Sequence, residues 1–149
     1  MSDTAILRTA ERELLPEGYE RDVVFRFTVD GYEACAEVDG FDPVTKEAIE
    51  ICLSETAEVS PKPGQKRKLA SDVLKLILLH DLGFIGRGRI FVSSEELSRW
   101  FHQNGSWLSA ACRKYHISLE LKTIKNKHER KRIRRALVNA RREMKRSSR

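Results

Sequence analysis

Apolar residues recur at every second position along three segments in the first third of the chain. The first segment runs from Asp22 to Val29 and the second from Tyr32 to Asp39, with Asp30-Gly31 between them. Period-two alternation predicts half-buried strands, and Asp-Gly between two such runs predicts a tight hairpin, because both turn positions need a positive φ. After a predicted turn at 40–43, the segment Ala48–Leu53 alternates in the same way. The pattern therefore predicts a three-stranded meander.

Helical spacing of apolar residues begins the chain and returns after the meander. A first helix is predicted over Thr4–Leu15, and Pro16-Glu17-Gly18 ends it. The later segments are predicted as a loop at 60–64, a helix Lys66–Asp81 capped by Gly83, a strand Arg89–Ser93, a helix capped by Ser94, a helix Trp107–Tyr115 and a strand Ile117–Leu121. This α-β-β-β-α-β-α-β order predicts an α/β fold, in which helices flank a mixed sheet.

A chain of 149 residues suffices for one domain with a modest core. The predicted core residues are Val23, Phe25, Phe27, Ile49, Ile51, Val73, Leu76, Ile77, Leu97 and Leu119. No apolar run approaches the roughly 20 residues that cross a membrane, and the first residues lack the pattern of a secretory signal. Three cysteines without a CxxC pair argue against a disulfide framework or a cysteine zinc site. We therefore expect a cytoplasmic protein without membrane contact.

Positive charge is concentrated at the C-terminal end of the chain. Residues 125–149 carry 4 Lys and 8 Arg against 2 Glu, a net charge of +10, whereas the preceding residues carry 16 basic and 20 acidic groups, a net charge of −4. This asymmetry predicts an α/β domain over 1–124 and a basic helical tail over 125–149. A polyanion is the partner that such a tail favours, nucleic acid first.

The tail combines basic residues with a narrow apolar stripe. The candidate nucleic-acid-binding residues are Lys127, Arg130, Lys131, Arg132, Arg134, Arg135, Arg141 and Arg142. Ile133, Leu137, Ala140 and Met144 recur at helical spacing. Two interpretations are compatible: the stripe packs on the domain or on a second copy, and the arginine-rich face follows phosphates and becomes ordered on binding. A third is a helix that binds an acidic protein partner.

Asp39 and Glu50 are the candidate catalytic pair. Asp39 ends one predicted strand, and Glu50 lies in the middle of the next, on a strand face that it shares with Cys52. Two carboxylates on neighbouring strands supply the oxygen ligands that hard divalent cations prefer. The pleat is expected to place both on a polar face. Surface positions, with Asp39 only opening a turn, are the alternative.

The order of elements and the run Glu50-Ile51-Cys52 resemble the PD-(D/E)xK superfamily of nucleases. The resemblance implies a restriction-endonuclease-like fold and hydrolysis of phosphodiester bonds with Mg²⁺ or Mn²⁺ bound by Asp39 and Glu50. It also implies a third ligand from the first helix, for which Glu11 is the candidate. The chain departs from the motif at one position, because Cys52 stands where the family has lysine.

Two explanations of Cys52 follow from the resemblance. Either the lysine role has moved to the next helix or the site is inactive. Lys66, Lys68 and Lys75 are the candidates on that helix, and Lys68 or Lys66, near its start, is expected to face the end of the sheet. The first explanation predicts a metal-dependent endonuclease that acts on nucleic acid, with DNA favoured over RNA. The second predicts a non-catalytic nucleic-acid-binding subunit of the same fold. A homodimer or a larger complex is compatible with both.

Overall fold

A computed structural model describes residues 2–53, 63–124 and 127–147. The described residues form α1 (Asp3–Leu14), β1 (Glu20–Val29), β2 (Tyr32–Asp42), β3 (Glu47–Cys52), α2 (Pro63–Asp81), β4 (Arg87–Val92), α3 (Glu95–Phe101), α4 (Trp107–Lys114), β5 (Ile117–Leu121) and α5 (Lys127–Ser147). The order confirms the predicted sequence of helices and strands. Most of the loop predicted at 60–64 lies outside the described residues, and Gly64 belongs to α2.

The five strands form one mixed sheet in the order β1-β2-β3-β4-β5. The pairs β1–β2 and β2–β3 are antiparallel, whereas β3–β4 and β4–β5 are parallel. Parallel neighbours need a crossover, and the helices α2, α3 and α4 supply it here. The predicted α/β class with a mixed sheet is confirmed.

The first connection is the predicted hairpin, and the second differs from the prediction. Asp30 and Gly31 have φ values of 49° and 77°, as a type I′ turn requires, and Val29 pairs with Tyr32. The turn predicted at 40–43 is wrong, because β2 continues to Asp42. The chain turns after that residue, whose Oδ1 accepts a hydrogen bond from the Val44 N–H at 2.9 Å. The sequence Gly40-Phe41 imitates a turn but pairs with β3.

The two faces of the sheet bury different sets of apolar residues. The larger core lies under α2, α3 and α4 and includes Leu69, Val73, Leu76 and Leu97. On the other face Ile49, Ile51 and Phe91 pack against Leu14 and Leu15 at the end of α1. Of the predicted core residues, Val23, Phe25, Phe27 and Ile77 are only partly buried, because they lie toward the edge of the larger core. The others are buried.

The basic C-terminal helix α5 packs against α1. Ile133 and Ala136 are buried, and the Asn139 side chain donates a hydrogen bond to the Asp3 carboxylate at 3.2 Å. Met144, the last residue of the predicted stripe, is 70% exposed. The interpretation that the stripe packs on the domain is therefore confirmed for its N-terminal part. Among the described residues, no helix is long and apolar enough to span a membrane.

Candidate functional site

Asp39 lies where β2 and β3 separate. The β2–β3 pairing ends at Gly40 and Ile49. Beyond that point the Asp39 side chain, and not the backbone of β2, is hydrogen-bonded to β3. Its Oδ2 accepts a hydrogen bond from the Ile51 N–H at 2.7 Å. Burial raises the pKa of Asp39, although this hydrogen bond acts in the opposite direction. The separation of the strands therefore directs a partly buried carboxylate toward β3.

Glu50 occupies the middle of β3 and is 2% exposed. It faces α2, so the alternative of a surface position is wrong for Glu50. Its Oε2 lies 3.2 Å from the Lys75 Nζ, and its Oε1 is buried without a hydrogen-bond partner. Burial, and then the charges of Asp72 and Asp39, raise the pKa of Glu50 well above its ordinary value. One oxygen of a buried carboxylate is thus left for a further ligand.

The helix α2 places two lysines and one aspartate over this part of the sheet. Lys68, Asp72 and Lys75 follow one another at spacings of four and three residues, so they share one side of the helix. Asp72 is 4% exposed, and its Oδ2 lies 3.0 Å from the Lys68 Nζ. Lys75 also donates to the Glu37 carbonyl oxygen at 2.9 Å.

The charge of Lys68 acts on each of the predicted site residues of β2, β3 and α1. It lowers the pKa of Asp39 and of Glu11 against the effect of burial, and it interacts with Glu50. Burial acts to lower the pKa of Lys68, but Asp72 and the other acidic groups around it raise the pKa above its ordinary range. Lys68 therefore keeps its positive charge at neutral pH.

Glu11 projects from α1 to the same place from the other side. It lines a small cavity together with Asp39, Asp22, Arg8 and other residues of α1 and β1. Burial, and then the charge of Asp39, raise the pKa of Glu11 to about 7. Glu11, the candidate third ligand from the first helix, thus lines the same cavity as Asp39. Glu11, Asp39, Glu50 and Asp72, with Lys68 and Lys75, are called the carboxylate cluster below.

Cys52 belongs to the apolar core under α2 and is 2% exposed. Burial raises the pKa of the thiol to about 12, and Lys68 is the strongest charge acting against that shift. A thiol with this pKa is neutral at physiological pH and is a poor nucleophile. The same position nevertheless lies within the field of an ammonium group, which α2 supplies.

Of the three candidate lysines of α2, Lys68 and Lys75 belong to the carboxylate cluster and Lys66 does not. Lys66 lies over the ring of Trp100, 5.1 Å from its centroid, and the charge contacts of the carboxylate cluster go to Lys68 and Lys75. Asp72 was not predicted as a site residue. The signal for it was available, because Asp72 is an acidic residue next to Val73 in the apolar stripe of α2.

The candidate nucleic-acid-binding residues of the tail lie on the solvent side of α5. Those with described side chains are Arg130, Lys131, Arg132, Arg134, Arg135, Arg141 and Arg142, and all are exposed. Lys127 begins α5, and its side chain lies outside the described part of the chain. Packing on α1 thus leaves a basic helical face accessible.

The donor chemistry of the carboxylate cluster fits a hard divalent cation. Its ligands are carboxylate oxygens, and one of them, the Glu50 Oε1, is buried without a partner. In residues 2–53, 63–124 and 127–147, however, no three His, Cys, Asp or Glu side chains converge as a ready set of metal ligands. Lys75 and Lys68 instead hold two of the carboxylates in ion pairs.

Comparisons with protein-family models, with curated proteins and with solved structures found no match to this chain.

Proposed function

We propose that the chain is a divalent-metal-dependent nuclease of restriction-endonuclease-like fold, similar to the PD-(D/E)xK superfamily, that acts on DNA in preference to RNA. The observation that carries the proposal is the position of Lys68. Its charge acts on Glu11, Asp39, Glu50 and Cys52 together. An ammonium group from α2 would thus act where the family has the motif lysine.

The residues divide the work of phosphodiester hydrolysis between them. Glu11, Asp39 and Glu50 would hold Mg²⁺ or Mn²⁺, which supplies charge to polarise the phosphate when it is bound. Lys68 stays protonated and would donate hydrogen bonds to the phosphate oxygen on which negative charge develops. Asp39 is held by the Ile51 N–H and Glu50 is buried in the middle of β3, so these carboxylates need little reorganisation.

Substrate binding has its own support in α5. The exposed basic face of this helix would follow the phosphate backbone through Arg and Lys contacts, which bind without reading sequence. Because α5 packs on α1, and α1 carries Glu11, the basic face and the carboxylate cluster belong to connected elements. Contact with a long nucleic acid at both places is the arrangement that we propose.

A second candidate is a non-catalytic nucleic-acid-binding subunit of the same fold. It is favoured by the ion pair between Lys75 and Glu50 and by the lack of a ready ligand set among the described residues. The two candidates share the basic helix and differ only in cleavage. A third possibility, an assembly protein that binds an acidic partner through α5, shares neither nucleic acid nor metal with them.

Cleavage of plasmid DNA in Mg²⁺ or Mn²⁺ tests the first candidate. Asp39→Asn, Glu50→Gln and Lys68→Ala should each lower the rate by about 100-fold or more, because each removes a ligand or a charge needed in the transition state. Asp30→Asn makes the same chemical change in the exposed hairpin turn and should leave the rate unchanged. Lys66→Ala should have little effect, because Lys66 lies over Trp100.

The outcome also separates the candidates. Wild-type protein that binds DNA, takes up no Mn²⁺ and cleaves nothing would overturn the nuclease and support the binding subunit. Restored cleavage in Cys52→Lys alone would show that the site is inactive only for want of the motif lysine. Equal loss of cleavage in Lys66→Ala and Lys68→Ala would refute the specific role of Lys68.

Binding through α5 is tested by the dependence of DNA affinity on salt. Arg130→Gln with Arg134→Gln should weaken binding and should make the slope of log affinity against log salt shallower by about 2, because each phosphate contact contributes roughly one to the slope. The matched double variant Arg26→Gln with Arg113→Gln, on exposed sites of β1 and α4, should bind like the wild type. Identical slopes for both double variants would exclude α5 as the phosphate-binding surface.

A further inference from the structure

In the contact between Lys75 and Glu50, the ammonium has two oxygen partners while one oxygen of the carboxylate has none. Glu50 presents two buried oxygens, and Lys75 binds only one of them, Oε2, at 3.2 Å. The same ammonium donates to the Glu37 carbonyl oxygen at 2.9 Å. Lys75 thus bridges β2 and β3 at the place where Asp39 marks their separation. It stands where a small cation bound by Glu50 would stand.

The two partners of this ion pair differ in exposure. The Glu50 side chain is 3% exposed and the Lys75 side chain 30% exposed. A buried carboxylate needs a positive partner, and its removal leaves an uncompensated charge that is costly in a low-dielectric interior. The lysine, by contrast, has a flexible four-carbon chain and an ammonium group that water solvates strongly. If the ion pair is replaced, Lys75 is therefore the group that moves, because Glu50 is buried in the core.

We propose that Lys75 is a resident counter-ion of Glu50, and that a divalent cation binds at Glu50 by displacing the Lys75 ammonium into solvent. This inference rests on the proposed function, since it concerns the cation of the same site. It explains two observations together: the buried Glu50 Oε1 has no partner, and the described carboxylates do not converge. With Lys75 displaced, both oxygens of Glu50 face the cation. The lysine thereby sets the affinity and the concentration at which the metal enters.

Lys68 takes a different part in the same cluster. Its ammonium lies 3.0 Å from Oδ2 and 3.4 Å from Oδ1 of Asp72, on the same helix, so it is paired with Asp72 and does not occupy the oxygens of Glu50. Loss of Lys75 should therefore increase metal affinity through Glu50. Loss of Lys68 should act mainly on cleavage.

The test is calorimetric titration of the full chain with Mn²⁺, together with thermal melts with and without the metal. Lys75→Met removes the competing charge and should bind Mn²⁺ about tenfold or more tightly than the wild type. Mn²⁺ should also raise the melting temperature of this variant more than that of the wild type. Lys114→Met, at the exposed end of α4, is the matched control and should bind like the wild type. In Lys75→Met combined with Glu50→Gln the gain should disappear.

An unchanged or weaker Mn²⁺ affinity in Lys75→Met overturns the proposal, and so does a gain that persists in the double variant. If Lys75→Met fails to fold without metal, recovery of its helical circular dichroism on addition of millimolar Mn²⁺ supports the proposal. If Lys75→Met does not recover its helical signal in Mn²⁺, and Lys75→Gln binds Mn²⁺ with the affinity of the wild type, the proposal is rejected.

Cleavage of DNA distinguishes this proposal from the nuclease function. Tighter Mn²⁺ binding in Lys75→Met, with no cleavage by any form of the protein, would leave Lys75 as a counter-ion in a protein that is not a nuclease. Cleavage by the wild type, with the same Mn²⁺ affinity in both proteins, would keep the nuclease and reject the role of Lys75.

Discussion

The sheet carries two charged groups of residues on neighbouring strands, and they differ in how fully their charges are paired. One is the carboxylate cluster. The other, called the Arg89 network, consists of Arg89, Glu47, Glu120 and Tyr19. Arg89 binds Glu120 through two hydrogen bonds, Nε to Oε2 at 2.6 Å and Nη2 to Oε1 at 2.8 Å, and its Nη1 lies 3.2 Å from the Glu47 Oε1. Such bidentate pairs are strong and geometrically specific.

The electrostatic results are opposite in the two groups. Hydrogen bonds from Arg89 lower the pKa of Glu120, which shows that the network stabilises the ionised carboxylate. In the carboxylate cluster burial raises the pKa of Glu50, whose Oε1 remains without a partner. A buried oxygen without a hydrogen-bond partner does not stabilise the fold, but it can bind a ligand. The comparison favours a structural role for the Arg89 network and is consistent with the functional role that we propose for the carboxylate cluster.

Ile51 connects the two groups, so its loss should have the largest effect on stability. Its N–H donates to Asp39, and its side chain packs with Phe91, over whose ring the Arg89 guanidinium lies at 4.8 Å. Ile51 is 2% exposed, so Ile51→Ala leaves a cavity in the core. The substitution should lower the free energy of unfolding by about 2–5 kcal/mol. Chemical denaturation measures this. Val44→Ala, at an 89% exposed site, is the control and should change little.

Neutralising one glutamate in each group should change the free energy of unfolding by a smaller amount and with opposite sign. Glu120→Gln breaks a charge-assisted pair and should lower the free energy of unfolding by about 1 kcal/mol. Burial raises the pKa of Glu50 to about 8, so at neutral pH the carboxyl must take up a proton on folding. Glu50→Gln removes this cost while keeping the shape, and should raise the free energy of unfolding by about 1 kcal/mol at neutral pH without metal. Urea denaturation of both variants checks the signs. If both variants were destabilised alike, Glu50 would be a structural carboxylate like Glu120.

The sequence was sufficient for the parts of this picture that depend on local pattern. Alternation predicted the meander, Asp30-Gly31 predicted its hairpin, and the spacing of Asp39 and Glu50 predicted two carboxylates on neighbouring strands. The partners of those carboxylates were harder, because Lys75 reaches Glu50 across 25 residues through the packing of α2 on the sheet. Periodicity places a residue on one side of a helix and leaves its angle over the sheet undetermined. For the same reason Asp72 was not predicted to lie with these carboxylates.

The end of β2 shows a different limit of sequence patterns. Gly40-Phe41-Asp42-Pro43 has turn composition, yet Gly40 belongs to the strand because Leu15 packs where its side chain would be. A Cβ at Gly40 would lie 2.6 Å from the Leu15 Cδ2. Glycine therefore serves close approach of α1 here, and only the tertiary contact distinguishes that role from a turn.

The smallest expected effect concerns Glu11, the member of the carboxylate cluster contributed by α1. Burial and the charge of Asp39 raise its pKa from the ordinary value of 4.5 to about 7 in the folded chain. Between these values the folded state binds more protons than the unfolded state, so Glu11 makes stability fall as pH rises. Glu11→Gln stays neutral and removes this contribution. Without metal, we expect the variant to melt at a higher temperature than the wild type at about pH 8, and at nearly the same temperature at about pH 4, below both pKa values.

The control for this pH dependence is Glu13→Gln, at an exposed site on the same helix. It should shift the melting temperature equally at all pH values, because the Glu13 side chain is exposed to water in the folded chain as it is in the unfolded chain. Mn²⁺ sharpens the test, since a bound cation requires ionised Glu11 and should reduce the loss of wild-type stability at high pH. A difference between Glu11→Gln and the wild type that is independent of pH would separate Glu11 from the carboxylate cluster and leave Asp39 and Glu50 as its catalytic pair.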